Sequence, residues 1–71
     1  MRSCETQENI IKKALKNNEE SLKKIAEAEI YYESDRNDFC EMLDSANEDA
    51  AIAAYWAMDT AARDNIMEIL D

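Results

Sequence analysis

Residues 11–32, IKKALKNNEESLKKIAEAEIYY, decide the fold. At 100° per residue, Ile11, Ala14, Leu15, Leu22, Ile25, Ala26 and Tyr32 fall within one arc of about 120°. No Gly or Pro interrupts the stretch, and Ser3 stands ahead of it as a helix cap. The pattern predicts one helix over residues 4–33 whose apolar face meets a core or a partner. Asn18 and Glu29 lie in the same arc. An Asn there either fixes register and oligomeric state or sits on a partly covered edge. The opposite face carries Lys12, Lys13, Lys16, Lys23 and Lys24. Glu8, Glu19 and Glu20 stand four residues before Lys12, Lys23 and Lys24, and each pair contributes roughly 0.2–0.5 kcal/mol. That interleaving reads as a solvated, ion-paired face rather than a phosphate-binding stripe.

Beyond residue 33 the periodicity continues in shorter runs. Ser34, Asp35 and Asn37 are capping residues, and Phe39, Met42, Leu43 and Ala46 follow at helical spacing, predicting a helix over 35–45. Ser45-Ala46-Asn47-Glu48 fits a capping box that opens a helix over 47–57, with one continuous helix over 35–57 as the alternative. Ala46, Ala50, Ala53 and Ala57, flanked by Ala54, form a stripe of small residues suited to close helix approach, with Ile52 and Trp56 on the other side. Asp59 caps a last helix over 59–70 whose inner positions are Ala62, Ile66, Ile69 and Leu70. The expectation is all-α: one domain over 1–71, a small helical bundle with a long N-terminal helix packed against two or three shorter ones.

The composition excludes several kinds of chemistry. The 71 residues include no Gly, Pro or His. Phosphate-cradling loops need Gly where the backbone approaches the ligand, and tight hairpins lean on it too, so nucleotide-loop motifs and a β-rich fold are set aside. Without His there is no Ser-His or Cys-His nucleophile system and no Glu-x-x-His di-iron repeat. Cys4 and Cys40 are too few for a disulfide framework, fall near the apolar sides of their helices and read as buried thiols of a reducing cytoplasm. No apolar run approaches the about 20 residues a bilayer span requires. The acids Asp35, Asp38, Glu41, Asp44 and Glu48 form a ridge, yet the calcium-loop pattern with its turn glycine is absent, and no metal or other cofactor is expected. Of the 33 hydrophobic residues 11 are Ala and none is Val, so the core is thin and association into a homo-oligomer is expected.

Charge is divided unevenly. Residues 1–33 hold six basic and seven acidic side chains, and residues 34–71 hold two and ten, within a net charge of −9. Such a field repels nucleic acid and steers the chain towards basic protein surfaces. Adjacent helical residues diverge by about 100°, so Tyr31-Tyr32 and Tyr55-Trp56 cannot each bury both rings in one narrow core. Trp and Tyr at a surface are frequent interface anchors. In size, charge and lack of Gly, Pro and His, the chain resembles the small acidic inhibitors encoded by phages and mobile elements, including anti-CRISPR and DNA-mimic proteins. That resemblance implies a non-enzymatic inhibitor or regulator docking on a nucleic-acid- or nucleotide-binding site of a partner in the host cytoplasm. The contact set expected from the residues is Asp35, Asp38, Glu41, Asp44, Glu48, Asp49, Tyr55 and Trp56. The alternatives are a structural subunit of a larger complex, or a self-assembling protein that holds a nucleotide between subunits through Lys12, Lys16, Arg36 and Arg63.

Overall fold

A computed structural model describes residues 2–28 and 33–71, with the side chains of 33–35 outside that description. The described residues form five helices and no strand: α1 (Cys4–Lys16), α2 (Asn18–Glu27), α3 (Glu33–Asp44), α4 (Glu48–Ala57) and α5 (Thr60–Leu70). The fold is a small all-α bundle. The single helix expected over 4–33 is instead two helices that meet at Asn17, whose backbone leaves helical geometry at φ −128°, ψ 50°. Size supplies the reason. A helix of about 30 residues would run about 45 Å, whereas the whole molecule measures 26 × 25 × 19 Å. None of the other helices exceeds 12 residues, so an unbroken helix would leave much of its apolar arc uncovered. Turning at Asn17 folds both halves onto one core, with α1 against α4 and α5, and α2 against α3 and α5.

The corner is closed by hydrogen bonds that reuse a freed carbonyl. The Asn17 N–H donates to Ala14 O at 3.2 Å, and the buried Ser21 hydroxyl donates to the same oxygen at 3.2 Å. Asn18, expected on the apolar arc, is half-buried and donates from Nδ2 to Leu43 O at 3.2 Å, tying α2 to the end of α3. Glu29 and Tyr32, assigned to the same arc, lie outside the described residues.

The core gathers Ile11 and Ala14 of α1, Ile25 of α2, Phe39 and Leu43 of α3, Ala51 and Tyr55 of α4, Met58, and Ala62, Ile66 and Met67 of α5. The Phe39 and Tyr55 rings meet at 6.2 Å between centroids, inclined by 57°. On α4 the alanine stripe does not face inward. Ala53 and Ala57 are exposed, Ala50 and Ala54 half-buried, and the inner side is Ala51-Tyr55. Residues 50–57 are all apolar, so periodicity there carries no direction. Ile69 and Leu70, expected inside, are half-buried, and Met67 takes the inner place.

Ends of helices follow local chemistry. Ser3 caps α1, its Oγ accepting from the Thr6 N–H at 3.1 Å. Between α3 and α4 the cap is Asn47 rather than Ser45, with Oδ1 accepting from the Ala50 N–H at 3.1 Å. Ser45 Oγ donates back to Met42 O at 3.0 Å instead, because α3 closes with two reversed bonds, Ala46 N–H to Leu43 O and Asn47 N–H to Met42 O. This Schellman closure puts Ala46 in the left-handed region at φ 55°, where a Cβ is disfavoured by about 1–2 kcal/mol. Asp59 holds the N-cap position of α5 without a side-chain cap bond.

Relief of that backbone cost predicts that Ala46→Gly stabilises the fold by about 1 kcal/mol, whereas Asn47→Ala costs about 1 kcal/mol through the lost cap. Urea denaturation followed by circular dichroism measures both, and a destabilised Ala46→Gly variant would contradict the assigned turn.

Candidate partner-binding surface

The acids singled out from the sequence occupy the outer side of α3 and the first turn of α4. Asp38, Glu41, Asp44, Glu48 and Asp49 are all exposed. The core residues Phe39 and Leu43 fix which way α3 faces, and residues 38, 41 and 44 fall on its opposite side. The side chain of Asp35 lies outside the described residues. Among the described residues the five-acid group makes one ion pair, Lys12 Nζ to Glu48 Oε1 at 4.0 Å. Glu48 and Asp49 sit where the positive end of α4 favours them. Glu41 and Asp44 do not. They occupy the last turn of α3, which contains no base, and the negative end of a helix disfavours each by about 0.3–1 kcal/mol. On α1 and α2 most charges follow the opposite rule, with Glu5, Glu19 and Glu20 in first turns and Lys13, Lys16 and Lys24 in last turns, the terminal Glu27 of α2 being the exception.

The two aromatic residues of α4 separate as their 100° divergence requires. Tyr55 is fully buried, so its ring belongs to the core and not to a contact surface. Its hydroxyl donates to Gln7 Oε1. Trp56 is half-buried at the α1–α4 edge. Its Nε1–H donates to Glu8 Oε2 at 2.9 Å, its ring meets Tyr55 edge-on at 5.0 Å and 75°, and the Arg63 guanidinium lies 5.3 Å from its centroid. Arg63 is held in turn by Met58 O and Thr60 Oγ1. Trp56 is thus a pinned ring with a partly open surface. Tyr31 and Tyr32 lie outside the described residues.

The basic residues assigned to nucleotide binding are distributed over three places. Lys12 and Lys16 flank a shallow hollow with Leu15, Ala46 and Glu48. Arg63 stacks on Trp56, and Arg36 donates to Asn37 on α3. A larger open groove of about 540 Å³ runs between α1, α2 and the end of α5, where Lys13, Lys24, Ile10 and Leu70 line it. Sequence reasoning missed it because it forms only when the corner at Asn17 brings α1 and α2 side by side. Among the described residues no group of three Cys, Asp or Glu side chains is placed to hold a metal ion, and no helix is long and apolar enough to cross a membrane.

The thiols differ in setting. Cys4, expected on a buried face, is exposed because the first turn of α1 overhangs the core, where Ser3, Glu5 and Thr6 are exposed as well. Cys40 is half-buried, and burial raises its pKa above 9.0 against the opposing pull of the Arg36 cation. Burial likewise pushes the Tyr55 phenol above 10.0, partly offset by Arg63. No family model, curated protein or solved structure matches the chain.

Two outcomes follow from these settings. In the folded protein at neutral pH, Cys4 should react with a thiol-specific chromogenic disulfide well before Cys40, whose thiolate fraction burial suppresses. Equal rates would contradict the placement of Cys40. Because the native pKa of Tyr55 lies above its unfolded value, its contribution to stability is complete below about pH 10 and is lost as pH rises through the native pKa. Thermal unfolding scans should therefore show an alkaline loss of stability above that pH, smaller in Tyr55→Phe.

Proposed function

We propose that the chain is a non-enzymatic, acidic protein-binding module, an inhibitor or regulator that docks the α3–α4 corner on a basic nucleic-acid- or nucleotide-binding site of a partner. One observation carries the reading. Glu41 and Asp44 are exposed, have no ion pair among the described residues, and stand at the helix end where they oppose the fold. A surface arranged only for stability would place bases there, as α1 does with Lys13 and Lys16 and as α2 does with Lys24 beside its terminal Glu27. Asp38, Glu48 and Asp49 extend the patch, and the half-buried Trp56, about two helical turns along α4 from Glu48 and Asp49, supplies the aromatic anchor that charge alone does not provide. Tyr55 takes no part, being enclosed in the core. Nucleotide sequestration has less support, since Arg36 and Arg63 line neither the hollow beside Lys12 and Lys16 nor the groove beside Lys13 and Lys24.

The test separates binding from folding by their opposite signs. Replacing Asp38, Glu41 and Asp44 together by Lys should stabilise the isolated fold by a few tenths to about 1 kcal/mol. The same variant should lose the partner. Affinity capture from a host lysate by the wild-type chain should yield a protein that elutes as salt rises, is missed by the triple variant, and loses its own nucleic acid or nucleotide when the wild-type chain is added. Capture that persists in high salt and in the triple variant would overturn the reading.

A further inference from the structure

The corner at Asn17 is where sequence and fold disagree, and the disagreement is informative. On an unbroken helix the buried residues of both halves, Ile11, Ala14, Ser21 and Ile25, would share one face within about 80°. The turn therefore does not re-aim the apolar pattern. It divides a face that is already continuous. The hinge is a single residue and contains neither Gly nor Pro. Its side chain gives α2 no cap bond, so the first-turn N–H groups of α2 lack the partners that Ala14, Leu15 and Lys16 carbonyls would supply in a continuous helix. Short hinges between elements that could run straight through are the usual setting for exchange of a segment between identical chains.

We propose that the chain also forms a domain-swapped homodimer in which α1 and α2 run as one helix through Asn17, delivering α1 to α4 and α5 of a second copy. The contacts made by the α1 segment outside α2 are transferable without loss. Gln7 with Tyr55, Glu8 with Trp56, Lys12 with Glu48 and Arg2 with Asp71 all join this segment to residues beyond α3. Each re-forms between copies. The bond from Asn18 to Leu43 joins α2 to α3 and stays within one chain. What the swap gives up is the Ser21 hydroxyl bond to Ala14 and the packing of α1 on α2. In return, α2 gains its missing helical partners and both apolar halves stay covered. Two chains of net charge −9 repel, so the dimer should be favoured by added salt, opposite to the behaviour of contact with a basic partner.

The experiment varies the hinge alone. Asn17→Ala, which raises helix propensity at both hinges of a dimer, should tighten self-association about five- to tenfold in sedimentation equilibrium, and Asn17→Gly should weaken it. The Asn17→Ala protein is then refolded from a mixture of isotope-labelled and unlabelled chains, and isotope-filtered nuclear Overhauser spectra are recorded on the dimer fraction. The swap predicts that Gln7 meets Tyr55, and Glu8 meets Trp56, across chains. An Asn17→Ala protein that stays monomeric at millimolar concentration, or a dimer whose Gln7–Tyr55 contact is found only within one chain, would overturn the proposal. Neither outcome bears on the acidic surface, which is tested by its own variant.

Discussion

Everything in this fold depends on the turn at Asn17, because it lets Ile11 and Ile25 reach the same interior. Among the described residues seven large side chains are fully buried, these two, Phe39 and Tyr55 included, and each contributes about 1.5–3 kcal/mol of burial. A domain of this size has a net stability of only about 3–5 kcal/mol from its core, so exposing Ile11 or Ile25 would remove much of the margin. The turn itself needs a place for the Ala14 carbonyl, which no longer has its helical donor. The Asn17 N–H and the Ser21 hydroxyl both take it. Ser21 is the buried polar residue among those described, and its position at the corner is the reason it can be tolerated there.

Where apolar residues alternate with charged ones, the sequence was sufficient to orient a helix. Phe39 and Leu43 on α3, and Ala62 and Ile66 on α5, face the core as their spacing requires. On α4 the same reasoning had nothing to work on, since the run from Ala50 to Ala57 has no polar side to mark solvent. Only the divergence of neighbours is readable there; it requires one of the two rings to lie outside without saying which, and the fold puts Tyr55 inside and Trp56 at the edge. The turn at Asn17 was faint for a different reason. The apolar period from Ile11 to Ala26 agrees with a straight helix, the pair Asn17-Asn18 is the one local sign against it, and the turn is imposed by the dimensions of the other helices, a global constraint that no window of residues contains. Much the same holds for the surface. Exposure of Asp38, Glu41 and Asp44 follows from the α3 period, whereas the link between Trp56 and Glu8, across 48 positions, follows only from the fold.

The N-terminal segment and the chain's end are also joined by charge. Arg2 donates from Nε and Nη2 to one oxygen of Asp71 at 3.1 and 2.7 Å. Both groups are substantially exposed, which limits such a pair to about 0–1 kcal/mol. Its effect is on geometry. With Gln7 donating to Arg2 O at 3.0 Å, it holds the start of α1 beside the end of α5, where the Tyr55 hydroxyl meets the Gln7 side chain.

Local rules are broken at the α3–α4 corner in two ways that differ in origin. Ala46 takes a left-handed conformation that glycine would adopt at lower cost, but the whole chain lacks glycine, so this departure is general to the composition and says nothing of the corner in particular. Acids at the end of α3 are a separate matter. Lysine is available to the chain and is used at the ends of α1 and α2, where it complements the helix termini. The last turns of α3 and α5 carry no base at all, with Asp44 and Glu68 standing there instead, whereas at the end of α2 Lys24 accompanies the terminal Glu27. Departures from local consistency in natural proteins concentrate where a function opposes stability. At this corner the departure is electrostatic, lies on an exposed face, and has a sign that a basic partner would reverse, because a cation brought to the end of α3 satisfies both the carboxylates and the helix terminus.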